Sequence, residues 1–366
     1  MRILFVATGS QVTVYAMAPL VAAARNAGHQ VVMAANEPLI GFVENLEIPA
    51  VAIMPQAIRH FMEPGPAPQD ARENQVRVGR AFARMAGAGR EALLQLAQDW
   101  PPDRVVGGSM SYGAGLLARQ RGVPYTRHAE YFRIPLEDID SGAAQGLQHG
   151  GLGELPQPDQ FIETSPPSLR SKGFPDAQLM RWVPRNPQRR LEPWMYARRG
   201  SRPRVLITSG THFRMLSAEA TRDLAAVLVS EGMDVLIAAT QAVAQELGPS
   251  MGPHVQVGWI PLDVVAHACD LAIHHGGATT SMTLLEAGVP QVIVPPNMHT
   301  QAIAEALTDF GAALTVPADA QHEPVSALAA SSLKILHEDG FAQRARALAQ
   351  ENAALASPAD VVLPWD

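Results

Sequence analysis

Residues Val255 to Gln301 read VQVGWIPLDVVAHACDLAIHHGGATTSMTLLEAGVPQVIVPPNMHTQ, and this stretch decides the fold. An apolar run, Leu271 to Ile273, ends in His274-His275-Gly276-Gly277. Small hydroxylated residues Thr279, Thr280 and Ser281 then open a helix, and a Gly-Val-Pro turn closes it at Gly288 to Pro290. The order is strand, glycine turn, helix N-terminus. Glycine lets backbone N–H groups approach a ligand, and the first-turn donors have no intrahelical partner. The helix dipole adds partial positive charge there. A phosphate or diphosphate is the natural guest.

The same alternation runs outward in both directions. Upstream, Arg204 to Thr208 reads as a strand, Ser217 to Glu231 as a helix stopped by Gly232, and Asp234 to Ala239 and Val255 to Val257 as further strands. The N-terminal half repeats the pattern. It has a strand from Arg2 to Ala7, a helix through Met17 to Ala27 stopped by Gly28, and strands at Gln30 to Ala34, Arg104 to Gly107 and Val123 to Arg127. Continuous apolar strands separated by helices imply parallel sheets covered on both faces. Pro64 to Asp70 is rich in Pro and Gly, and Ile139 to Pro158 is Gly-rich and poorly periodic, so both are expected as loops. Trp182 to Pro203 shifts to Pro and Arg and reads as a linker.

Composition narrows the class. A chain of 366 residues exceeds one ordinary core and predicts two domains. Its net charge of −7, without a dense Lys/Arg block, argues against nucleic-acid or anionic-membrane partners. The single Cys269 makes no internal disulfide and fits a reducing cytoplasm. Ile3 to Ala7 is too short for a signal core or a membrane span. No Cys/His spacing predicts zinc and no paired-Asp motif predicts a divalent ion, so neither metal nor cofactor is expected. Thr208-Ser209-Gly210 lacks a phosphate-loop lysine and Gly107-Gly108-Ser109 lacks dinucleotide spacing.

Gly258-Trp259-Ile260-Pro261, then His274 to Thr280, then Ala287 to Gln291 follow one another in order. Together they resemble the donor-binding signature of the inverting family 1 GT-B glycosyltransferases of antibiotic biosynthesis. The N-terminal half is similar to the angucycline branch, the urdamycin and landomycin enzymes, through MRILFVATGS, AARNAGHQVVMAAN, IRHF, FARMA, VGGSMSY, PPSLR and LEPWMY. The resemblance implies an α/β chain of two facing doubly wound, Rossmann-like parallel-sheet domains with the active site in the cleft. Residues 1–185 would bind acceptor, 186–203 would link, and 204–366 would bind donor, with the terminal tail packing back on the N-terminal domain. The implied donor is a TDP-activated deoxyhexose of D-olivose type. The implied acceptor is an aromatic polyketide of angucycline type, with O-transfer ahead of C-transfer and homodimerisation left open.

Each candidate residue has a plainer reading beside the functional one. His275, with Gly276 and Gly277, either holds the diphosphate or caps a helix, and Thr279 and Thr280 either donate hydroxyls to phosphate or simply begin that helix. His274 faces the opposite side of the strand and reads as a core group or one behind the ligand. Trp259 either lies against a nucleobase or fills a core, with the Ile260 backbone reading the base edge. Ser209, Gly210 and Thr211 stand at a strand's carboxyl end, where ligands bind in open α/β sheets, or form an ordinary turn.

The N-terminal loop departs from the wider family. Many relatives carry a general-base His there, and this chain has Thr13. The angucycline branch supplies an Asp from the loop after Val123 to Arg127; here the loop reads HAEYFRIPLEDID, and the matching position is Tyr131. Glu130 is the first candidate base, Asp138 the second and Asp140 the third, each also readable as a solvated loop charge. His128 lies nearby in sequence, and Ser10 either orients the acceptor or belongs to a turn. Ile58, Phe61, Phe82, Met85, Met110 and Tyr112 suit an apolar acceptor wall, although Phe82 and Met85 at helical spacing also suit plain core. Two rival classes remain at this point, a non-catalytic sugar-nucleotide-binding partner protein and an epimerase of the same fold.

Overall fold

The strand Arg2–Ala7 (β1) shows why the chain builds parallel sheets: Ile3 through Ala7 are wholly buried, an apolar run covered on both faces. Six more strands follow it in one sheet: Gln30–Asn36 (β2), Ala50–Met54 (β3), Arg104–Gly108 (β4), Tyr125–His128 (β5), Gln160–Glu163 (β6) and Gln178–Leu179 (β7). Their order is β3-β2-β1-β4-β5-β6-β7, and every pair is parallel. The second sheet contains Arg204–Thr208 (β8), Asp234–Ala238 (β9), Val255–Gly258 (β10), Leu271–His274 (β11), Gln291–Ile293 (β12) and Ala313–Thr315 (β13). It is likewise parallel, in the order β10-β9-β8-β11-β12-β13. The computed structural model describes every residue except 130–135, 171–175, 198–199, 210–214, 249–250, 318–323 and 366.

Packing divides the chain into one unit of Met1–Ser165, Arg170–Arg181 and Leu355–Asp366 and another of Pro166–Leu169 and Trp182–Ala354. The C-terminal segment closes the first unit. Val361 and Val362 are fully buried in the cluster that holds Ile3, Phe5 and Met17, and the Trp365 indole donates to Gln160 at 3.1 Å beneath the Arg104 guanidinium. The Pro/Arg-rich stretch is more than a tether. Trp182 and Met195 are buried in the second unit, and Pro193–Tyr196 is a short helix there. No helix among the described residues is long and apolar enough to cross a membrane.

One expectation fails. Much of Ile139 to Pro158, expected as a loop, is helical, because the Leu136–His149 helix packs backbone to backbone against the Ala71–Ala88 helix. A Cβ on Gly79 would fall 1.9 Å from the Ile139 carbonyl, one on Gly142 would fall 2.0 Å from the Val76 carbonyl, and one on Gly146 would meet Ala83 at 2.6 Å. The glycines that weaken the local helix signal are the ones that let the two helices touch. Pro64 to Asp70 is irregular. Arginines of the Ala71–Ala88 helix grip the chain at and just before it. Arg77 donates to the carbonyls of Glu63, Gly65 and Pro66, Arg80 pairs with the Glu63 carboxylate at 2.8 Å, and Arg84 donates to the Phe61 carbonyl.

Gly79→Ala is therefore expected to lower stability by about 1–3 kcal/mol through overpacking, read as a fall in the urea midpoint. An unchanged midpoint would contradict the contact.

A second expectation concerns acid. His128 and His274 are completely buried, and burial pushes their pKa values down to about 4 and about 3. Histidine in the unfolded chain titrates near ~6.5. Below that pH the unfolded state takes up protons that the folded state refuses, so stability is full above it and falls as pH drops toward about 4. Urea denaturation at about pH 7 and about pH 5 should show the loss, and His128→Leu should lose less than the parent over the same interval.

Candidate functional site

Each sheet reverses its winding once, between β1 and β4 in the first unit and between β8 and β11 in the second. Ligands in open α/β sheets bind outside the carboxyl ends of strands at such switch points.

In the second unit that position is taken by the turn after β11. Gly276 has φ +82, and a Cβ on it would meet Ile293 Cγ2 at 3.0 Å and Thr300 Cβ at 3.2 Å, so both its conformation and its surroundings require glycine. Gly277 is the N-cap of the Ala278–Glu286 helix, and a Cβ there would lie 2.6 Å from His275 Nε2, so glycine leaves the imidazole room across the turn. The first intrahelical bond runs from Ser281 N–H to the Gly277 carbonyl, which leaves the amides of Ala278, Thr279 and Thr280 without helical partners. His275 is half-buried, and burial lowers its pKa, so its ring is neutral near pH 7. Thr279 is half-buried and Thr280 buried.

The two histidines divide their roles by burial. His274 is fully enclosed; its Nδ1 accepts the Gly276 N–H at 3.0 Å, and its Nε2 lies 2.9 Å from Gln291 Oε1. This corrects one expectation. The Gly276 amide is consumed inside the protein and is not a donor for a ligand; Gly276 serves through its conformation. Gln291 was not expected as a site residue. Its signal in the sequence was a lone polar residue opening the apolar strand β12, where it is 1% exposed.

The remaining donor candidates follow other strands of the same sheet, β8 and β10. Ser209 follows β8 and its hydroxyl accepts the Met215 N–H at 3.2 Å; Gly210 and Thr211 lie outside the described residues. Trp259 is half-buried with the Arg189 guanidinium 4.9 Å over its ring, a partner the sequence did not suggest. Gln188, next to Arg189, donates to Asp263 at 2.8 Å. The Ile260 side chain is buried with Leu206, Leu236 and Leu284, which leaves only its backbone to offer a base.

In the first unit, Thr8 and Gly9 leave the end of β1. The Thr8 N–H and hydroxyl both donate to Ser111 Oγ, and the Gly9 N–H donates to Asn36 Oδ1. Ser10 N-caps the Gln11–Asn26 helix without a side-chain bond, and its buried hydroxyl makes no hydrogen bond to any described residue. Thr13 lies buried in the first turn of that helix, and its hydroxyl donates to the Thr8 carbonyl. The acceptor candidates gather in one cluster. Phe61, Phe82, Met85, Met110 and Tyr112 are buried together with Ile58 packed against them, and Phe82 lies under Gly9. Met85 at 1% and Tyr112 at 2% exposure are core side chains, which leaves Ile58, Phe61, Phe82 and Met110 for a wall.

The carboxylates separate clearly. Asp138 pairs with the exposed Arg72 at 2.9 Å. Asp140 receives two bonds from Arg127, at 2.8 and 2.7 Å, and a third from the Tyr112 hydroxyl at 2.8 Å. Arg127 also donates to the Ser109 carbonyl. Burial works against the Arg127 charge, but the bonds and charge of Asp140 outweigh it and hold its pKa above the ordinary value. Burial, reinforced by Asp140, raises the Tyr112 pKa well above its ordinary value. Asp140 is thus a structural partner and is withdrawn as a base. Glu130 and Tyr131 lie outside the described residues. His128 is fully buried on the face of its register neighbour Ile162, a face covered by the Gln11–Asn26 helix.

Two doubly wound parallel sheets, one carrying a glycine turn and a helix N-terminus at its switch point, are the architecture of a GT-B transferase. Comparison with known proteins agrees. Residues 223–364 match the family model described as erythromycin biosynthesis protein CIII-like, C-terminal domain. The chain is 30% identical over 372 residues to the L-demethylnoviosyl transferase of Streptomyces niveus, covering 99% of this chain and 96% of that protein. It is 32% identical over 288 residues to the elloramycin glycosyltransferase of Streptomyces olivaceus, covering 76% and 72%. Among solved structures, the Streptomyces sp. SF2575 glycosyltransferase SsfS6, complexed with thymidine diphosphate, aligns with a TM-score of 0.86 at 29% identity, over 100% of this chain and 99% of that one. The chain belongs to this GT-B family of antibiotic-biosynthesis glycosyltransferases, and it is a glycosyltransferase.

The carboxylate assignments are separable by stability. Asp140→Ala strands the Arg127 guanidinium, 9% exposed, and is expected to cost about 3–5 kcal/mol. Asp138→Ala breaks a pair whose arginine is 79% exposed, so about 0–1 kcal/mol is expected. Equal urea midpoints for the two variants would refute the buried network.

Proposed function

We propose that the protein transfers a deoxyhexose, D-olivose-like, from a TDP-sugar to a phenolic hydroxyl of an angucycline-type aromatic polyketide with inversion. The observation that carries this reading is the turn at His275 to Gly277. It combines a half-buried neutral imidazole, two glycines that tolerate close approach and a helix N-terminus with free amides, all at the switch point of a sheet. That the aligned SsfS6 structure is complexed with thymidine diphosphate supports the choice of base and anion together. The apolar cluster around Phe61, Phe82 and Met110 supports a flat, weakly polar acceptor.

The reaction is a single displacement. A carboxylate removes the phenolic proton as the phenolic oxygen attacks the anomeric carbon. The bond from that carbon to the diphosphate oxygen breaks, and TDP leaves with the electron pair. His275, the amides following Gly276 and the hydroxyls of Thr279 and Thr280 stabilise that departing charge. Ser209, Gly210, Thr211, Trp259 and the Ile260 backbone complete the donor site. Glu130 is the proposed base, with Asp138 as the alternative and Ser10 orienting the acceptor. O-transfer is favoured because the loop after Arg127 departs from that of the C-transferring branch.

Calorimetric titration without added metal is expected to show micromolar TDP binding, tighter than UDP, that disappears in His275→Ala. Failure of both nucleotides to bind the parent protein would overturn the donor assignment. In a transfer assay Glu130→Gln should abolish turnover while TDP binding persists, and the sugar should be released from the product by acid. An acid-stable product would identify a C-glycoside instead.

A further inference from the structure

The diphosphate reading leaves His274 and Gln291 without a task, yet they are among the most enclosed polar side chains of the second unit, at 0% and 1% exposure. Their hydrogen bonds fix one another's chemistry. Nδ1 of His274 accepts the Gly276 N–H at 3.0 Å and therefore carries no hydrogen. The proton of the neutral ring must then sit on Nε2, which donates to Gln291 Oε1 at 2.9 Å. With its oxygen engaged, Gln291 has only its amide hydrogens left, and its Nε2 donates one of them to the Ser281 carbonyl at 3.2 Å. The three bonds run in one direction, from the turn through β11 and β12 to the helix that follows the turn.

We propose that Gln291 and His274 are positioning residues of the diphosphate site: they hold the 275–277 turn in its anion-receiving form without reaching the ligand themselves. This rests on the donor site assigned above. The bond from Gly276 N–H to His274 pins the peptide plane between His275 and Gly276. In a trans peptide the His275 carbonyl is thereby turned the opposite way, and the course of the chain into Gly277 is set. The Ser281 bond ties the first turn of the Ala278–Glu286 helix to the same amide. Gly276 at φ +82 has many alternative conformations once released, so the chain of bonds supplies what glycine lacks, a single orientation. The ring performs this role only when neutral, which burial ensures: protonated Nδ1 would present a hydrogen to the Gly276 N–H instead of a lone pair.

Gln291→Met keeps the volume and removes both bonds. In the full-length protein it is expected to weaken TDP binding by roughly 10- to 100-fold in calorimetry, the range set by losing one or two buried hydrogen bonds. The KM for the TDP-sugar should rise while that for the acceptor stays unchanged, a split that a general loss of stability would not produce. A folded Gln291→Met chain that binds TDP like the parent overturns the proposal. A parent that binds no TDP overturns the donor site itself, and the two failures are distinct.

A measurement on the parent protein guards against a variant that misfolds. In a sample with 15N-labelled histidine, the His274 ring should show the Nε2–H tautomer, and its Nδ1 signal should shift when TDP saturates the site. The opposite tautomer, or a signal indifferent to bound TDP, would overturn the proposal.

Discussion

Everything at the proposed donor site depends on the space around Gly276. The residue is held at a positive φ between Ile293 and Thr300, in a gap where a Cβ would force its neighbours to give way. Strand β12 and the start of the Met298–Phe310 helix set that gap, and the capping box that Asn297 forms with Thr300 fixes the helix start. The turn, the strand beside it and the next helix are therefore one object. A glycine-rich loop is usually described by its freedom, but here glycine is needed because the neighbours are close. Its remaining freedom is removed by the bond to His274.

The first unit uses the same means at larger scale. Gly79 and Gly142 let two helices meet at backbone distance, and the three bonds on Asp140 then join the end of β5 and the start of the Tyr112–Arg121 helix to the Leu136–His149 helix. In the same unit the chain around Glu63 to Pro66 is held by Arg77, Arg80 and Arg84 of one helix face. The buried Arg127 charge contributes little net stability but penalises any arrangement that leaves it unpaired. It selects one geometry for the segments nearest the proposed acceptor wall.

The elements that could be read from sequence are those whose signal is local. The strand, glycine turn and hydroxylated helix start at Leu271 to Ser281 are contiguous, as is the alternation that predicts two parallel sheets. The aromatic and methionine residues that meet in one cluster were visible as a composition, though only burial separates Met85 and Tyr112 as core from the others. What escaped depends on partners far along the chain. Gly142 and Gly146 look like loop residues until Val76 and Ala83 are placed against them. Asp140 looks like a solvated charge until Arg127 reaches it, and Trp259 looks like an open aromatic face until Arg189 covers part of it. The direction of the Gly276 N–H could not be read at all, since a spacing pattern says that a turn exists and not which way its peptides point.

The chemistry of the turn explains why such detail matters. From Val255 to Gln301 there is no Lys or Arg, so this segment offers a diphosphate only dipoles: backbone amides, hydroxyls and a neutral imidazole. An ammonium group attracts an anion from any angle, whereas a dipole helps only when it is aimed, and its contribution to a departing charge is largest when no reorientation is needed at the moment of reaction. A turn that offers only dipoles must therefore be rigid, and the enclosure of His274 and Gln291, which would be wasteful as mere packing, supplies that rigidity. The burial that keeps His274 neutral has a cost in acid, where the folded chain must refuse a proton the unfolded chain accepts. The same enclosure thus couples the aim of the turn to the stability of the domain that carries it.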